Sequence, residues 1–426
     1  MTAALRTRSP TLLLLAALAV GCAGLAAAGD PSPMEIAAPA QAPAALEAGA
    51  VLPPAAGPEV AAAAAPAGPP AAPASAGITW GPLDFLGEAI PPGEARRLRF
   101  ESLDDFTAGV VALRGVAPGP TVCVTAGVHG DELNGIAIAR RLGEETDPRA
   151  LAGTLVVVPV VNAYGFRTGS RYLPDRRDLN RSFPGRPEGS AAARIAHQFF
   201  EQVVRGCDEL VDLHTGSLNR ANVPQIRTDL AQVDNLRLAW GFATEHVVHS
   251  VPQPGTLRRA ADDAGIAAVL YEAGEPGRID RAQVEQGVAA IQSVLGSLGM
   301  LQGAAAPEVT QRLYGRAQWV RADASGIYVP LVALGAEVQP GQVLAEVSDP
   351  FSSRRDAIVA PVTGRVIGMA LGQVVMPGFA LFHIGIEDAP MPIAEPREPG
   401  VPPANGDGAA GSDPVRRHEL AEERPE

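Results

Sequence analysis

Two short segments constrain this chain more than anything else in it: Thr121-Val-Cys-Val-Thr-Ala-Gly-Val-His129-Gly-Asp-Glu132 and, about eighty residues later, Asp208-Glu-Leu-Val-Asp-Leu-His214. Each is an apolar run with strand character that ends in a side chain able to bind a metal. Two ligands from one loop and a third from the end of another strand suit a zinc ion that keeps one position open for water. That is the layout of a hydrolase, and it sets an expectation of one zinc per chain held by His129, Glu132 and His214.

The surrounding pattern says how such strands are arranged. Strand-like runs at 121–125, 155–161, 209–213, 246–251 and 267–271 alternate with helix-like segments at 132–142, 190–205, 233–245, 255–264 and 281–298. Alternation of this kind predicts an α/β domain over 78–302 with a mainly parallel, doubly wound sheet. In such sheets ligands bind beyond the carboxyl ends of the strands. His129, Glu132, His214 and Glu272 all fall just after predicted strands, so one site can collect them. From about Pro307 the pattern changes to short strands and glycine turns, which predicts a small all-β sandwich or barrel over 308–386. Its turn spacing resembles the biotinyl/lipoyl sandwich.

Composition excludes several function classes. A net charge of -13 argues against nucleic acid, whose phosphates an acidic surface repels. All 34 basic residues are Arg. Without Lys there is no Schiff base, no phosphate-loop lysine and no lysine-attached biotin or lipoyl group, so the C-terminal β-domain is read as structural or as a wall of the substrate entrance.

The ends of the chain read as targeting and tether. Arg6 and Arg8 precede the apolar run Leu12 to Val20, too short to span a bilayer as a mature helix, which predicts an export signal within 1–28. Leu18-Ala-Val-Gly-Cys22 resembles a lipoprotein cleavage box; ordinary cleavage after Ala28 is the alternative. The expected location is extracytoplasmic, in a bacterial periplasm or anchored to a membrane through a lipid on Cys22. Residues 29–77, mostly Ala, Pro and Gly, form a linker that cannot pack a core, and 387–426 read as a disordered tail. Cys123 and Cys207 lie in or beside core strands and are expected to be buried free thiols.

Around the metal-type residues, Gly127 and Gly130 permit a tight loop and the helix that follows can fix Glu132. Asp212, two residues before His214 on an extended strand, lies on the same side and could orient the imidazole or make a buried salt bridge. His246 and His249 compete as third ligands, but their spacing of three points them to different faces, which fits a core or surface role better. Between the two zinc segments, Arg171, Arg176, Arg177 and Arg181 fall within eleven residues. Beside a metal in an acidic protein they form an anion pocket, where planar guanidinium binds carboxylate bidentately.

His129-Gly-Asp-Glu132, Arg171-Tyr, Asp178-Leu-Asn180-Arg181, Asp212-Leu-His214-Thr and Tyr271-Glu272-Ala-Gly resemble, in order, the motifs of the aspartoacylase/succinylglutamate desuccinylase family, relatives of the zinc carboxypeptidases. The resemblance covers roughly 120–300 and implies zinc on His129, Glu132 and His214, Arg171 near the developing oxyanion, Asn180 and Arg181 on the substrate carboxylate, and Glu272 as general base. Arg176 and Arg177 lengthen the loop between Arg171 and Asn180 relative to the family's usual spacing. The expected activity is zinc-dependent hydrolysis of an amide, or an ester or C-terminal peptide bond, in a small carboxylate-bearing molecule. A non-catalytic periplasmic metal- or ligand-binding envelope lipoprotein on the same fold is the other reading. Glu272 favours the enzyme, since a pure binder has no need of a base; oligomeric state is not legible.

Overall fold

Runs that are apolar at nearly every position belong in strands covered on both faces. The computed structural model, which describes residues 80–102, 106–301 and 309–387, places the two defining runs side by side in one sheet. The expected export signal with Cys22, the 29–77 linker and the tail beyond Glu387 lie outside the described residues.

A hairpin of β1 (Leu83–Phe85) and β2 (Glu88–Ile90) precedes the main sheet. In chain order the sheet begins with β3 (Glu94–Glu101), β4 (Thr107–Arg114), β5 (Ala117–Ala126), β6 (Ala152–Val158), β7 (Glu209–His214), β8 (Arg220–Thr228), β9 (His246–His249) and β10 (Ala267–Gly274). Helices α1 (Leu133–Glu145), α2 (Ala163–Thr168), α3 (Ala191–Phe199), α4 (Val233–Trp240), α5 (Leu257–Asp263) and α6 (Arg281–Ser297) connect them. One apolar core unites α1, α4 and α6 with one face of the sheet; a second unites α3 and α5 with the other. Helices thus cover both faces of the sheet.

Strands β6, β5, β7 and β10 are adjacent and parallel, but the sheet as a whole is mixed rather than mainly parallel. Only residues 215–219 separate β7 from β8, far short of the dozen or more that a parallel crossover needs. β8 therefore returns antiparallel to β10, and β9 then runs parallel to β8. The sequence hid β8. Arg220-Ala-Asn-Val-Pro-Gln-Ile-Arg-Thr228 is polar and interrupted by Pro224, and the structure absorbs the break as a register shift opposite Glu272 and Gly274.

The C-terminal segment holds β11 (Arg312–Arg321), β12 (Gly326–Pro330), β13 (Glu337–Val338), β14 (Val343–Ser348), β15 (Arg355–Val359), β16 (Gly364–Ala370), β17 (Gln373–Val375) and β18 (Ala380–Glu387). It is sheet-rich, as expected. β15, β14, β12 and β17 form a four-stranded sheet, whereas β13, β16, β18 and β11 continue the main sheet through β9. The two layers share a core that includes Tyr328, Leu344, Val366 and Phe382. β16 also pairs with β8, so this segment reaches the strand beside Glu272.

The cysteines correct an expectation. Cys123 on β5 and Cys207, just before β7, form a disulfide. No local signal announces a pair 84 residues apart; the parallel pairing of β5 with β7 is what brings the two together. Closing a loop of 84 residues should contribute about 4.6 kcal/mol by constraining the unfolded chain. A Cys123→Ser/Cys207→Ser protein is expected to lose about that much unfolding free energy in urea titrations. Unfolding curves that coincide with and without reductant would show the bond to be absent.

Candidate metal centre

Parallel β5 and β7 end at the same level, so the loop after β5 and the last residue of β7 meet. Gly127 takes a left-handed backbone (φ 60°) as the chain leaves β5. Gly130 lies so close to Gly165 and Phe166 of α2 that a Cβ there would sit 1.9 Å from backbone carbon. This tight passage delivers His129 and then Glu132, the residue preceding α1.

Glu132 makes no side-chain cap for its own helix. Its carboxylate turns inward instead, with Oε1 2.8 Å from His129 Nδ1 and Oε2 2.7 Å from His214 Nδ1. The Thr215 backbone N–H donates to Oε2 at 3.3 Å. His129, Glu132 and His214 are all buried. On the far side of each ring stands another carboxylate: His129 Nε2 donates to Asp178 at 3.2 Å and His214 Nε2 donates to Asp212 at 2.9 Å. Asp212 is fixed in turn by Thr125 Oγ1 at 2.7 Å.

This chemistry tests whether a metal fits. A carboxylate only accepts hydrogen bonds, so Asp178 and Asp212 claim the Nε2 hydrogens and leave each Nδ1 lone pair facing a Glu132 oxygen. Acceptors so close need a proton or a cation between them. Burial opposes charge on His214, but Asp212 and Glu132 outweigh it and raise the imidazole well above its usual value. Burial likewise pushes the Glu132 carboxyl up, yet the two imidazoles hold it well below the carboxylate range. Among the described residues, these three form the cluster whose ligand atoms could hold one ion, lying within 4.8 Å of one another.

The other predicted site residues line the same cleft of about 1200 Å³. Arg171 Nε and Nη2 donate to Asp178 Oδ2 at 3.0 and 2.7 Å, and its Nη1 lies 3.5 Å from Glu132 Oε1. Asn180 is buried with its Oδ1 accepting from Leu257 N–H at 2.8 Å, so its amide NH2 is what it can offer a ligand. Arg181 donates to the Asn180 carbonyl at 2.7 Å. Glu272, two residues before the end of β10, stands in register with His214 on β7, and Arg227 lies 3.6 Å from its Oε1. His246 and His249 are not brought to this site: His246 meets the Tyr314 hydroxyl at 3.0 Å, and His249 accepts from Leu230 N–H.

Seven arginines line the cleft against three acids, Glu132, Asp178 and Glu272, inside a protein of net charge -13. Burial and the nearby charge of Arg227 bring Arg258 down to about 10, still cationic at neutral pH. Four contributors were not singled out as site residues from the sequence. Asp178 had a signal, standing two residues before Asn180; Asn222, Arg227 and Arg258 reach the cleft only through the unforeseen β8 and the packing of α5.

Residues 118–298, from β5 through α6, match the model of the succinylglutamate desuccinylase/aspartoacylase catalytic domain. Over these residues the chain is similar to that family. The chain is 28% identical over 259 residues to the N-alpha-acetyl-L-2,4-diaminobutyric acid deacetylase of Halomonas elongata, covering 58% of this chain and 75% of that one. It is 33% identical over 151 residues to the succinylglutamate desuccinylase of Burkholderia pseudomallei, which is 31% of this chain and only 42% of the relative. A solved succinylglutamate desuccinylase/aspartoacylase from Rhodobacter sphaeroides shares the fold, with a TM-score of 0.62 at 24% identity over 69% of this chain and 96% of its own. The family is one of amide-bond hydrolases, deacylases and desuccinylases.

Protonation of the ligand cluster gives a test. Because the His214 pKa is raised, its imidazole holds a proton at neutral pH that a metal must displace. Metal affinity should therefore increase as pH rises from neutral towards that raised value. Zinc titrated calorimetrically at pH 7 in two buffers of different ionisation enthalpy is expected to report net proton release; identical heats would contradict it.

Proposed function

We propose that this protein is a zinc-dependent deacylase that hydrolyses an amide bond in a small carboxylate-bearing molecule. The observation that carries the reading is the convergence, in one arginine-lined cleft, of the His129–Glu132–His214 cluster and the separate acid Glu272. His129, Glu132 and His214 would hold the ion, which when bound supplies Lewis acidity to the scissile carbonyl and brings the pKa of water to about 7.

The chain's own residues supply the remainder. Glu272 accepts a proton from the attacking water and returns it to the leaving nitrogen as the C–N bond breaks, a role worth about 10² to 10⁴ in rate. Arg171, held by Asp178 beside the ligand cluster, places positive charge where oxyanion charge develops. The Asn180 amide and the Arg181 guanidinium take the substrate carboxylate. Asp178 and Asp212 keep both imidazoles in the tautomer that presents Nδ1 to the ion.

The location we propose is extracytoplasmic. The charged start, short apolar run and Cys22 support it, and so does a disulfide between Cys123 and Cys207, since such bonds persist in oxidising compartments. Lipidation at Cys22 remains part of this proposal, and mass spectrometry of the mature N-terminus from native cells would read it directly.

Two mutations separate the acids. Glu132→Ala is expected to abolish stoichiometric zinc by elemental analysis, while Glu272→Gln keeps zinc and fold and loses about 10²- to 10⁴-fold in kcat. Turnover by Glu272→Gln near the wild-type rate would remove the base from the mechanism. Arg181→Ala is expected to raise KM more than it lowers kcat; the reverse split would move its role to the transition state.

A further inference from the structure

We propose that Asn222 is the positioning residue for Glu272, and that the C-terminal β-segment holds it there through Gly368. This rests on the reading of Glu272 as general base. Asn222, buried on β8, donates its Nδ2 hydrogen to Glu272 Oε2 in a close contact. Arg227, 3.6 Å from Oε1 on the same strand, faces the other carboxylate oxygen. An acid near a strand end beside an open cleft has several staggered rotamers available. The Asn222 amide selects among them.

The amide is itself seated by a strand from outside the catalytic domain. β16 pairs with β8 so that Gly368 stands opposite Asn222. A Cβ at Gly368 would lie 2.4 Å from Asn222 Oδ1 and 3.4 Å from the Cβ of His383 on β18. The amide therefore lies over a gap that only glycine leaves, with its oxygen against β16 and its NH2 on Glu272. An added methyl would push Oδ1 away and rotate the donor off the carboxylate. Gly368 shows no positive φ, so the glycine is required for space and not for backbone conformation. The C-terminal segment, which carries no lysine for a swinging cofactor, thereby acquires a part in the chemistry.

The test uses full-length, zinc-loaded protein and N-acetyl-L-2,4-diaminobutyrate as probe. Asn222→Ala is expected to lose about 10- to 100-fold in kcat, as a misplaced reacting group does, with KM within about twofold and zinc content and melting temperature unchanged. Gly368→Ala should lose kcat as well. The double variant should be no worse than Asn222→Ala alone, because the side chain that the methyl displaces is gone. Asn222→Ser serves if the alanine variant folds poorly. Crystal structures of the variants should show the Glu272 carboxylate in a different rotamer. Undiminished kcat in Asn222→Ala, multiplying losses in the double variant, or Glu272 unmoved in the variant crystals would overturn the proposal. If the wild-type protein leaves the probe intact, it is the deacylase reading that fails for this probe, and the crystal structures still decide the positioning.

Discussion

The buried carboxylate of Glu132, wedged between the Nδ1 atoms of His129 and His214, is the interaction on which the rest of this site depends. Removing a carboxylate from water costs several kcal/mol unless charge and hydrogen bonds compensate. Here the compensation requires two histidines from distant parts of the chain, and each is aimed by an aspartate behind it. Helix α1 forgoes a side-chain cap at its first turn so that this carboxylate can face inward. A helix cap is worth about 1 kcal/mol, a small loss beside the cost of a buried carboxylate left without its imidazole partners.

The two strands that lead to the histidines are fastened to each other further back. In the middle of β5, beside the start of β7, the Thr121 backbone N–H donates to Asp208 Oδ2 at 2.7 Å while Asp208 N–H donates to the Thr121 carbonyl at 2.8 Å. The Cys123–Cys207 bond lies alongside. Together they fix the register of β5 against β7, and a slip of one residue would send every side chain to the other face and separate His129 from His214. Around the cluster, the excess of arginine over acid makes the cleft a positive basin in an acidic surface, which concentrates anionic ligands.

Much of this was legible because strand ends and ligands coincide in the sequence. His129, Glu132, His214 and Glu272 each follow an apolar run, so their convergence comes directly from parallel packing. Asp212 was legible by its period-two relation to His214. Three things were not. β8 contains proline, asparagine and arginine, because it lines the cleft with the functional side chains that break a strand pattern. The disulfide depends on a neighbour relation between strands rather than on spacing. The mixed sheet follows from the short 215–219 link, whose length counts only once β8 is known to be a strand.

X-ray absorption at the zinc edge on protein purified without chelator tests the central claim most directly. The arrangement of His129, Glu132 and His214 calls for two imidazole nitrogens at about 2.0–2.1 Å and carboxylate or water oxygens at about 2.0–2.2 Å, with no sulfur shell. A His214→Ala protein should lose one imidazole from that shell or lose the metal. A zinc spectrum with sulfur ligands, or one that is the same in the His214→Ala protein, would contradict the assignment of these three residues as the metal centre.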